Sequence, residues 1–403
     1  MKRVVVIGTG LAGIRVAARL GEDAVLIGEE PHAPYNRVLL AEVLAGSYGP
    51  EVIALPAPQG PRLRTRAIRV DRTARVVQCE DGAEVAYDAL VLATGANPVL
   101  PPLRGLFEPG ATDLPGGVHA FRTMDDCVAL SESVREGTRA VVIGGGLLGV
   151  SAARALARRG AQVVLVQQAE RLMERHLDPT SSALVRSHLT ALGVEIHTEC
   201  RVKAVRTANG TVTHVELHDG YVLETDVTVL ACGARPRTGL AKAAGLEVRR
   251  GVVVDDELRT SDPHIHAVGD CAEHADRVYG LATPALEQAD ALANALTGVG
   301  APKTYTGTRT LTRLTLPHAA DPLDLAAFGE TEPLPGDDVV QLTDATRGTY
   351  RRVVVRGDRL VGGVLVGALG GVGALAHAWE SNEALPADDG APLLHLLTND
   401  GGL

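Results

Sequence analysis

One arrangement of residues occurs twice in this chain, and it permits few folds. Residues 3–30 and residues 139–168 each consist of an apolar strand, a glycine-rich turn, a helix and a second strand. The strands are β-branched runs without polar alternation, as is typical of parallel strands buried on both faces. A strand that leads into such a turn and helix predicts a dinucleotide-binding unit. Two units predict an α/β protein with two Rossmann-like domains, one for each of two dinucleotides.

Both turns carry the spacing GxGxxG, and each glycine has its own physical purpose. The first permits a tight turn, the second lets the backbone approach a pyrophosphate, and the third lets the helix pack closely on the strand. The phosphates would lie at the helix N-terminus, where free N–H groups and the helix dipole favour an anion. The predicted phosphate-binding residues are Gly8, Gly10, Leu11, Ala12 and Gly13 in the first turn, and Gly144, Gly146, Leu148 and Gly149 in the second.

The two units differ at the position that contacts the ribose. A carboxylate is expected about twenty residues after the turn, at the end of the second strand. The first unit has Glu30 there, directly after Glu29, whereas the second unit has Gln167 and Gln168. An amide can bind a ribose hydroxyl, but without the charge that strengthens a carboxylate hydrogen bond. The first site is therefore complete and the second is atypical.

Composition and charge exclude several classes of function. The net charge is −10 and aromatic residues make up 3% of the chain, so neither a phosphate backbone nor stacked bases are expected partners. No apolar run is long enough to cross a bilayer. The five cysteines are widely separated and lack zinc or iron–sulfur spacings. We therefore expect a cytoplasmic protein with free thiols and no metal, nucleic-acid or membrane partner.

Four further motifs connect the chain to a known family. They are YNRVLLAEVLAG (Tyr35–Gly46), YDALVLATGANP (Tyr87–Pro98), TSDPHIHAVGDCAE (Thr260–Glu273) and LATPALEQADALANALTG (Leu281–Gly298). With these motifs, the chain resembles the two-dinucleotide flavoprotein reductases of the pyridine nucleotide-disulfide oxidoreductase superfamily. It is most similar to the flavin portion of the NAD(P)H nitrite reductase large subunit, and next to rubredoxin and ferredoxin reductases. The resemblance implies FAD in the first unit and NAD(P)H in the second.

The resemblance also implies individual cofactor contacts. Asp270, after Gly269, corresponds to the aspartate that contacts the flavin ribitol in this family, although an ordinary turn aspartate is the alternative. Pro284 fits the first position of a helix whose N–H groups would face the flavin, but alone it marks only a helix start. Arg37 and Arg122 correspond to basic residues near the flavin and the pyrophosphate; a surface arginine is the alternative for each. The remaining implied contacts are Ala93, Thr94, Gly95 and Thr283 for FAD, and Gly233 for NAD(P)H.

Three departures from the family bear on the activity. No cysteine lies between Arg37 and Gly49, where disulfide reductases carry a redox cysteine, so thiol–disulfide chemistry is not expected. Ser151 stands where family members place a glutamate near the nicotinamide, and with Gln167 it alters two positions usual for nicotinamide recognition. The residues also contain no counterpart of the cluster-binding and sirohaem domains of nitrite reductase. We therefore do not expect nitrite reduction by this chain alone.

The order of the motifs predicts a discontinuous FAD domain, residues 1–112 and 232–303, with an NAD(P)H domain inserted at residues 113–231. Residues 304–385 alternate in short apolar and polar runs separated by turns, which predicts a small α+β C-terminal domain. In the resembled family such a domain covers the flavin or forms a subunit contact. A homodimer is therefore possible, and the question stays open. Residues 386–403 are rich in Gly, Pro and Asp and are predicted to form a loosely ordered tail.

These features predict an FAD-dependent oxidoreductase that passes electrons from NAD(P)H through FAD to a separate acceptor. The flavin performs the hydride chemistry and the protein positions the rings, so no catalytic side chain is assigned. The acceptor is expected to be a ferredoxin- or rubredoxin-like protein or a nitrite reductase-type partner. Two alternatives stay open: a flavoprotein oxidase or dehydrogenase for a specialised small molecule, and a non-enzymatic FAD-binding redox sensor. The choice between NADH and NADPH stays open as well.

Overall fold

The computed structural model describes residues 3–107, 110, 112–298, 304–317, 322–344, 346–385 and 397. The chain forms two compact units. Unit 1 comprises Met1–Val99, Arg122–Val128 and Gly233–Thr308, and unit 2 comprises Leu100–Phe121, Ala129–Cys232 and Arg309–Leu403. The chain therefore leaves unit 1 three times and returns to it twice.

Unit 1 is built around a five-stranded parallel sheet. Its strands are β1 (Val4–Ile7), β2 (Ala24–Ile27), β3 (Arg62–Leu63), β7 (Ala89–Leu92) and β19 (Ile265–Ala267), in the order β3-β2-β1-β7-β19. Every residue of β1 and β7 is buried, which explains their purely apolar sequences. The strand order reverses between β1 and β7. Dinucleotides bind at such a switch point, outside the carboxyl ends of the strands.

Two helices of unit 1 pack against each other beside this switch point. α1 (Leu11–Leu20) follows β1, and α7 (Ala282–Thr297) lies alongside it. Arg15 and Arg19 on α1 both donate to the Asp290 carboxylate on α7. The other elements of unit 1 are α2 (Leu40–Leu44), β4 (Ala67–Asp71), β5 (Val76–Cys79), β6 (Glu84–Ala86), β8 (Ala96–Pro98), β17 (Ala234–Pro236), α6 (Gly239–Ala243), β18 (Val252–Val254) and β20 (Ala272–His274). α3 (Met124–Ser133) begins in unit 1 and continues in unit 2.

Unit 2 repeats the same architecture. Its elements are β9 (Val118–Ala120), β10 (Arg139–Ile143), α4 (Leu147–Arg158), β11 (Gln162–Val166), α5 (Pro179–Ala191), β12 (Glu195–His197), an antiparallel sheet of β13 (Val202–Ala208), β14 (Thr211–Leu217) and β15 (Val222–Glu224), and β16 (Val227–Leu230). Its parallel sheet has the order β12-β11-β10-β16-β9. α4 links β10 to β11, as α1 links β1 to β2, and α5 leads into β12.

The C-terminal part of unit 2 is a five-stranded antiparallel sheet with one helix. The elements are β21 (Leu311–Leu316), β22 (Leu323–Gly329), β23 (Asp338–Asp344), β24 (Thr349–Arg356), β25 (Arg359–Val366) and α8 (Val372–Ser381). The strands follow the order β21-β22-β25-β24-β23. Phe328, Leu365 and Trp379 belong to a separate apolar core between this sheet and the helix.

The predicted fold class is confirmed: two Rossmann-like units and a small α+β region. The predicted domain boundaries stay predictions. The predicted loose tail, residues 386–403, lies outside the described residues apart from Leu397. Within the described ranges, no helix combines the length and the apolarity needed to cross a membrane.

Candidate cofactor site

The first glycine turn has the geometry that its sequence predicts. Gly8 has a φ of +117°, and a Cβ on it would lie 2.1 Å from the carbonyl oxygen of Ala93. A Cβ on Gly13 would lie 2.0 Å from the carbonyl oxygen of Gly8. Neither position therefore accepts a side chain without moving backbone atoms. Both glycines are required by the packing of the protein itself.

Gly10 is different, because nothing in the described protein explains why it is glycine. Its backbone is extended, with φ −78° and ψ −175°, and no atom lies within 4 Å of a Cβ built on it. The helix that starts at Leu11 has no side-chain cap and no acidic residue in its first turn. Among the residues that the structure describes, its first N–H groups therefore lack acceptors. Open space beside free donors fits the pyrophosphate of a dinucleotide.

The second turn repeats these relations. Gly144 has a φ of +111°, and a Cβ on it would lie 2.5 Å from the Ala231 carbonyl oxygen. A Cβ on Gly149 would lie 1.8 Å from the Gly144 oxygen. Gly146 has the same φ of −78° and ψ of −175° as Gly10, and again nothing lies within 4 Å of its Cβ position. The second turn therefore fits a dinucleotide phosphate as well as the first does.

The strands beside β1 and β10 end in matching turns. Ala93, Thr94 and Gly95 follow β7, and Ala231 to Gly233 follow β16 in the same way. The Thr94 hydroxyl donates to the carbonyl oxygen of Arg237 at 2.8 Å. Apart from their chain neighbours, no described residue has an atom within 4 Å of a Cβ built on Gly95 or on Gly233. Each predicted contact in these turns thus borders the carboxyl edge of its sheet.

A chain of polar contacts joins the end of β2 to the turn after β19. Tyr35 donates its hydroxyl to Glu30 at 2.6 Å, and Arg37 forms an ion pair with the same carboxylate. Arg37 also donates to the Tyr35 hydroxyl at 2.9 Å and to the carbonyl oxygen of Arg122 at 3.1 Å. Arg122 in turn donates to the Asp270 carboxylate at 2.5 Å. Four predicted FAD residues, Glu30, Arg37, Arg122 and Asp270, therefore lie in one connected cluster.

This cluster orders the segment that carries Arg122. The Tyr35 hydroxyl accepts a hydrogen bond from the backbone N–H of Met124 at 2.8 Å. Asp126 accepts from the N–H groups of Arg122 and Thr123, at 3.0 and 2.8 Å. Burial raises the pKa of Tyr35 far above its usual value, and the Glu30 hydrogen bond adds to that effect. Tyr35 therefore stays a neutral hydroxyl that can donate and accept at once.

The turn that carries Asp270 is held by both neighbouring helices. The N–H of Gly269 donates to the Gln288 side-chain oxygen at 2.7 Å, and Gln288 is buried on α7. A Cβ on Gly269 would lie 3.1 Å from the Cβ of Ala12 on α1. The turn is thus placed by α1 and α7 together. The Asp270 carboxylate beyond it is held by Arg122.

The position predicted for Pro284 is wrong by two residues. α7 begins at Ala282, so Thr283 is its second residue and Pro284 its third. Proline is tolerated there because the first four N–H groups of a helix have no partner within the helix. α7 also lacks a side-chain cap and an acidic residue in its first turn. Its N-terminus can therefore still offer free N–H groups and a positive dipole end to a ligand.

The two atypical residues of the second unit both make contacts within the protein. The Gln167 side-chain oxygen accepts from the N–H of Gly145 at 2.8 Å, and its nitrogen donates to the Arg171 carbonyl oxygen at 3.4 Å. Ser151 donates its hydroxyl to the Leu147 carbonyl oxygen at 2.9 Å, one turn earlier in α4. Gln167 thus supports the glycine turn. The role of Gln167 at a ribose stays a prediction.

The sequence pattern of the pyridine nucleotide-disulphide oxidoreductase family matches residues 2–289, which include both glycine turns and the Asp270 turn. The chain belongs to this family. Members of the family are oxidoreductases that use FAD and NAD(P)H, so the predicted class of enzyme and its two cofactors are confirmed.

Two relatives and one solved structure illustrate the likeness. The NAD(P)H nitrite reductase of Bacillus subtilis (strain 168) is 34% identical over 91% of this chain and 46% of its own length. The rubredoxin-NAD(+) reductase of Pseudomonas putida is 32% identical over 74% of this chain and 81% of its own. The chain thus spans about half the length of that nitrite reductase. The covalent putidaredoxin reductase–putidaredoxin complex superposes with a TM-score of 0.83 at 28% identity, covering 100% of this chain and 99% of the other.

The cysteines of this family member are all free thiols. Cys232 occupies the place in its turn that Thr94 occupies in the first unit, and burial raises the pKa of its thiol to about 11. Burial also raises the pKa of Cys271. Thiols with raised pKa values are poor nucleophiles at neutral pH. Cys232 and Cys271 thus lack the lowered pKa that is typical of a redox-active thiol.

Sequence reasoning missed four residues around the first nucleotide site. Tyr35 and Gln288 lie inside quoted motifs, but each also bonds a backbone N–H of another motif or segment, that of Met124 and that of Gly269. Glu29 was seen only as a neighbour of Glu30, and Arg237 was not singled out, although the two side chains form an ion pair. The only sequence signal for these two residues was that both are charged and lie near predicted FAD contacts. Their ion pair could not be predicted, because they are 208 residues apart in the chain.

Proposed function

We propose that this chain carries electrons from NAD(P)H to FAD and from FAD to a separate small redox protein. The main support is the pair of glycine turns, in which Gly10 and Gly146 share the same backbone angles and each faces open space. One phosphate-binding turn would suit an FAD protein with any substrate. A second turn of the same geometry supplies a site for a soluble nucleotide donor.

When bound, the FAD would accept a hydride from the nicotinamide and release electrons to the acceptor. The protein's own part is to bind and orient. Gly8–Gly13 and the α1 N-terminus would hold the pyrophosphate, and Asp270, fixed by Arg122, would accept from a ribitol hydroxyl. The free N-terminal N–H groups of α7 would stabilise negative charge beside them. No side chain of the chain needs to take up a proton in this scheme.

Relatives support an acceptor of the ferredoxin or rubredoxin class. The Pseudomonas putida protein is named a rubredoxin-NAD(+) reductase, and the superposing structure is a reductase in covalent complex with putidaredoxin. A nitrite reductase-type partner is the other acceptor under this proposal, because the Bacillus subtilis relative is a nitrite reductase with about twice the length of the matched region. A homodimer and a cytoplasmic location complete the proposal.

One observation favours a second candidate function. Gln167 and Ser151 replace residues that recognise the nicotinamide nucleotide in this family, and both side chains are hydrogen-bonded within the protein. A flavoprotein oxidase or dehydrogenase acting on another small molecule would not need these contacts to a nicotinamide nucleotide. The second glycine turn speaks against this candidate, because its geometry is intact.

Anaerobic titration of the purified, FAD-loaded protein distinguishes the two. We expect NADH or NADPH at stoichiometric to millimolar levels to bleach the visible flavin band. Addition of an oxidised ferredoxin or rubredoxin should then restore the band. If neither nucleotide bleaches the flavin but another metabolite does, the second candidate replaces the first. If the protein binds FAD and nothing reduces it, the redox-sensor alternative is favoured.

A further inference from the structure

An ion pair joins two residues that lie far apart in the chain at the edge of the FAD unit. Both guanidinium nitrogens Nη1 and Nη2 of Arg237 donate to the Glu29 carboxylate, the second at 3.0 Å. Such a bidentate contact is among the strongest interactions that arginine makes with a carboxylate. The Glu29 hydrogen bonds raise the pKa of the Arg237 guanidinium further, so the arginine stays charged.

The sheet order fixes where this pair lies. Glu29 is the second residue after β2, whereas the backbone of Arg237 is bonded to the turn after β7: its N–H donates to Gly95 at 2.9 Å and its carbonyl accepts from Thr94 at 2.8 Å. β1 lies between β2 and β7 in the sheet, and all three strands are parallel. The side chains therefore meet across the carboxyl edge of β1, where the first glycine turn begins.

Glu29 also borders an open cavity on the side of β3. The cavity measures about 540 Å³ and is lined by Glu29, Arg64, Thr65, Arg66, Glu80 and Asp81. A ligand whose phosphates lie at the α1 N-terminus and whose nucleoside extends along this edge would reach that cavity. Glu29 thus belongs both to the ion pair beside the phosphate turn and to the lining of the cavity. A pair in this position can act as a strap across a bound nucleotide.

We propose that Glu29 and Arg237 form a closing pair that retains FAD. The inference rests on FAD binding in unit 1. The two residues are positioning residues: the pair must open for the adenosine half of FAD to enter or leave, and it closes over the bound nucleotide. Folding does not need the pair, because both side chains are well exposed (40% for Arg237 and 37% for Glu29) and exposed ion pairs contribute little to stability.

The rate of FAD release tests this proposal. Holoprotein is diluted into excess apoflavodoxin or another FAD trap, and the release is followed by flavin fluorescence. We expect Arg237→Ala and Glu29→Gln each to speed release by roughly 1.5-fold to fivefold, the scale of one exposed pair. The double variant should be no faster than either single variant. Arg249→Ala is the matched control, because Arg249 forms an exposed pair with Asp276 in the same unit, and it should release FAD at the wild-type rate.

The exchanged pair, Glu29→Arg with Arg237→Glu, separates a strap from a direct phosphate contact. Restoration of the slow wild-type release supports the strap, since only the pairing of opposite charges is then preserved. Fast release from the exchanged pair, with Glu29→Gln at the wild-type rate, overturns the proposal and assigns Arg237 to the phosphates instead. Wild-type release from both single variants also overturns it. A wild-type protein that takes up no FAD would instead refute the proposed function.

Discussion

At the residue scale, the contact between Arg122 and Asp270 joins the segment before α3 to the turn after β19. Both side chains are only about one-fifth exposed (23% and 19%), so solvent screens the pair weakly. Removal of either charge leaves the other residue without its oppositely charged partner in this pair. Because Asp270 also borders the FAD site, its charge should affect the affinity of the protein for FAD.

Asp270→Asn should therefore weaken FAD binding while leaving the fold intact. A hydrogen bond to a charged group contributes about 1.5–3 kcal/mol, so the dissociation constant should rise roughly 10- to 100-fold. Fluorescence titration of apoprotein with FAD measures the constant. Asp276→Asn, an exposed aspartate of the same unit, is the control. Equal affinities of the two variants for FAD would show that Asp270 does not contribute to FAD binding.

A second residue-scale prediction concerns pH. His266 in β19 is buried, and burial, with the nearby charge of Arg259, lowers the pKa of its imidazole from 6.5 to about 4. The unfolded chain takes up a proton on this imidazole as the pH falls through 6.5, whereas the folded chain takes it up only near pH 4. The free energy of unfolding should therefore fall by on the order of 3 kcal/mol as the pH drops from 6.5 to 4, with no contribution above pH 6.5.

Urea unfolding of the wild type and of His266→Gln at pH 7 and at pH 4.5 measures this effect. The variant should lose less stability between the two pH values than the wild type does. The comparison uses the difference across pH, so a lower overall stability of the variant does not affect it. Parallel losses in both proteins would exclude His266 as the source.

Much of the FAD cluster could be predicted from the sequence, residue by residue. Glu30 was expected from its distance to the glycine turn, and Arg37, Arg122 and Asp270 from motif positions. Their mutual contacts could not be predicted, because Arg122 and Asp270 are 148 residues apart and meet only after β7, β9 and β19 are placed. Tyr35 was missed for the same reason: its role depends on a backbone N–H of a later segment.

At the element scale, the three glycines of each turn serve different partners. Gly8 and Gly13 face protein backbone, whereas Gly10 faces open space. The same division holds for Gly144, Gly149 and Gly146. Substitution at the first or third glycine should therefore act on folding, and substitution at the second on ligand binding.

Gly10→Ala and Gly13→Ala test this division directly. Gly10→Ala should keep the wild-type melting temperature of the apoprotein but bind FAD more weakly, because the new methyl group occupies the space of the pyrophosphate. Gly13→Ala should lower the free energy of unfolding by about 1–3 kcal/mol, because its methyl group meets the Gly8 carbonyl. Thermal melts of apoprotein and FAD titrations give both quantities. Equal melting temperatures for the two variants would contradict the assignment.

The end of β11 should control the choice of nicotinamide nucleotide. Gln167→Glu places a carboxylate where a ribose hydroxyl is usually bound, and it can still accept from Gly145. We expect the ratio of kcat/KM for NADH over NADPH to rise roughly tenfold, since a carboxylate attracts the 2′-hydroxyl and repels a 2′-phosphate. Gln168→Glu, on the exposed neighbouring residue, is the control. An unchanged ratio would show that the adenosine ribose of the nicotinamide nucleotide does not bind at residue 167.

Elements with a strong hydrophobic period or a glycine signature could be predicted from the sequence, and others could not. The strands and helices around both turns are where the repeated pattern predicts them. The start of α7 was misplaced because proline is allowed throughout a first helical turn, not only at its first residue. The small sheet of β4, β5 and β6 has mixed, partly exposed strands whose apolar pattern is too weak to assign.

At the scale of the whole molecule, the chain builds two parallel sheets of the same kind in separate units, each with its own apolar core. The repeated glycine turn allows the two units to be predicted from the sequence, because each copy requires the same strand, helix and neighbouring strand. The C-terminal antiparallel sheet has a third core and no such signature. Its period-two pattern predicts strands, but the pairing order β21-β22-β25-β24-β23 follows from tertiary contacts alone.

The central claim is that the second turn binds the nucleotide that reduces the flavin in the first. Stopped-flow bleaching of the bound flavin by NADH and by NADPH, in the wild type and in Gly146→Val, tests it most directly. Wild-type flavin should bleach with saturable dependence on at least one nucleotide. The variant should keep its FAD but require at least roughly tenfold more nucleotide, because the side chain fills the phosphate space. Bleaching of the variant at wild-type concentrations, or no bleaching of the wild type by either nucleotide, would contradict the claim.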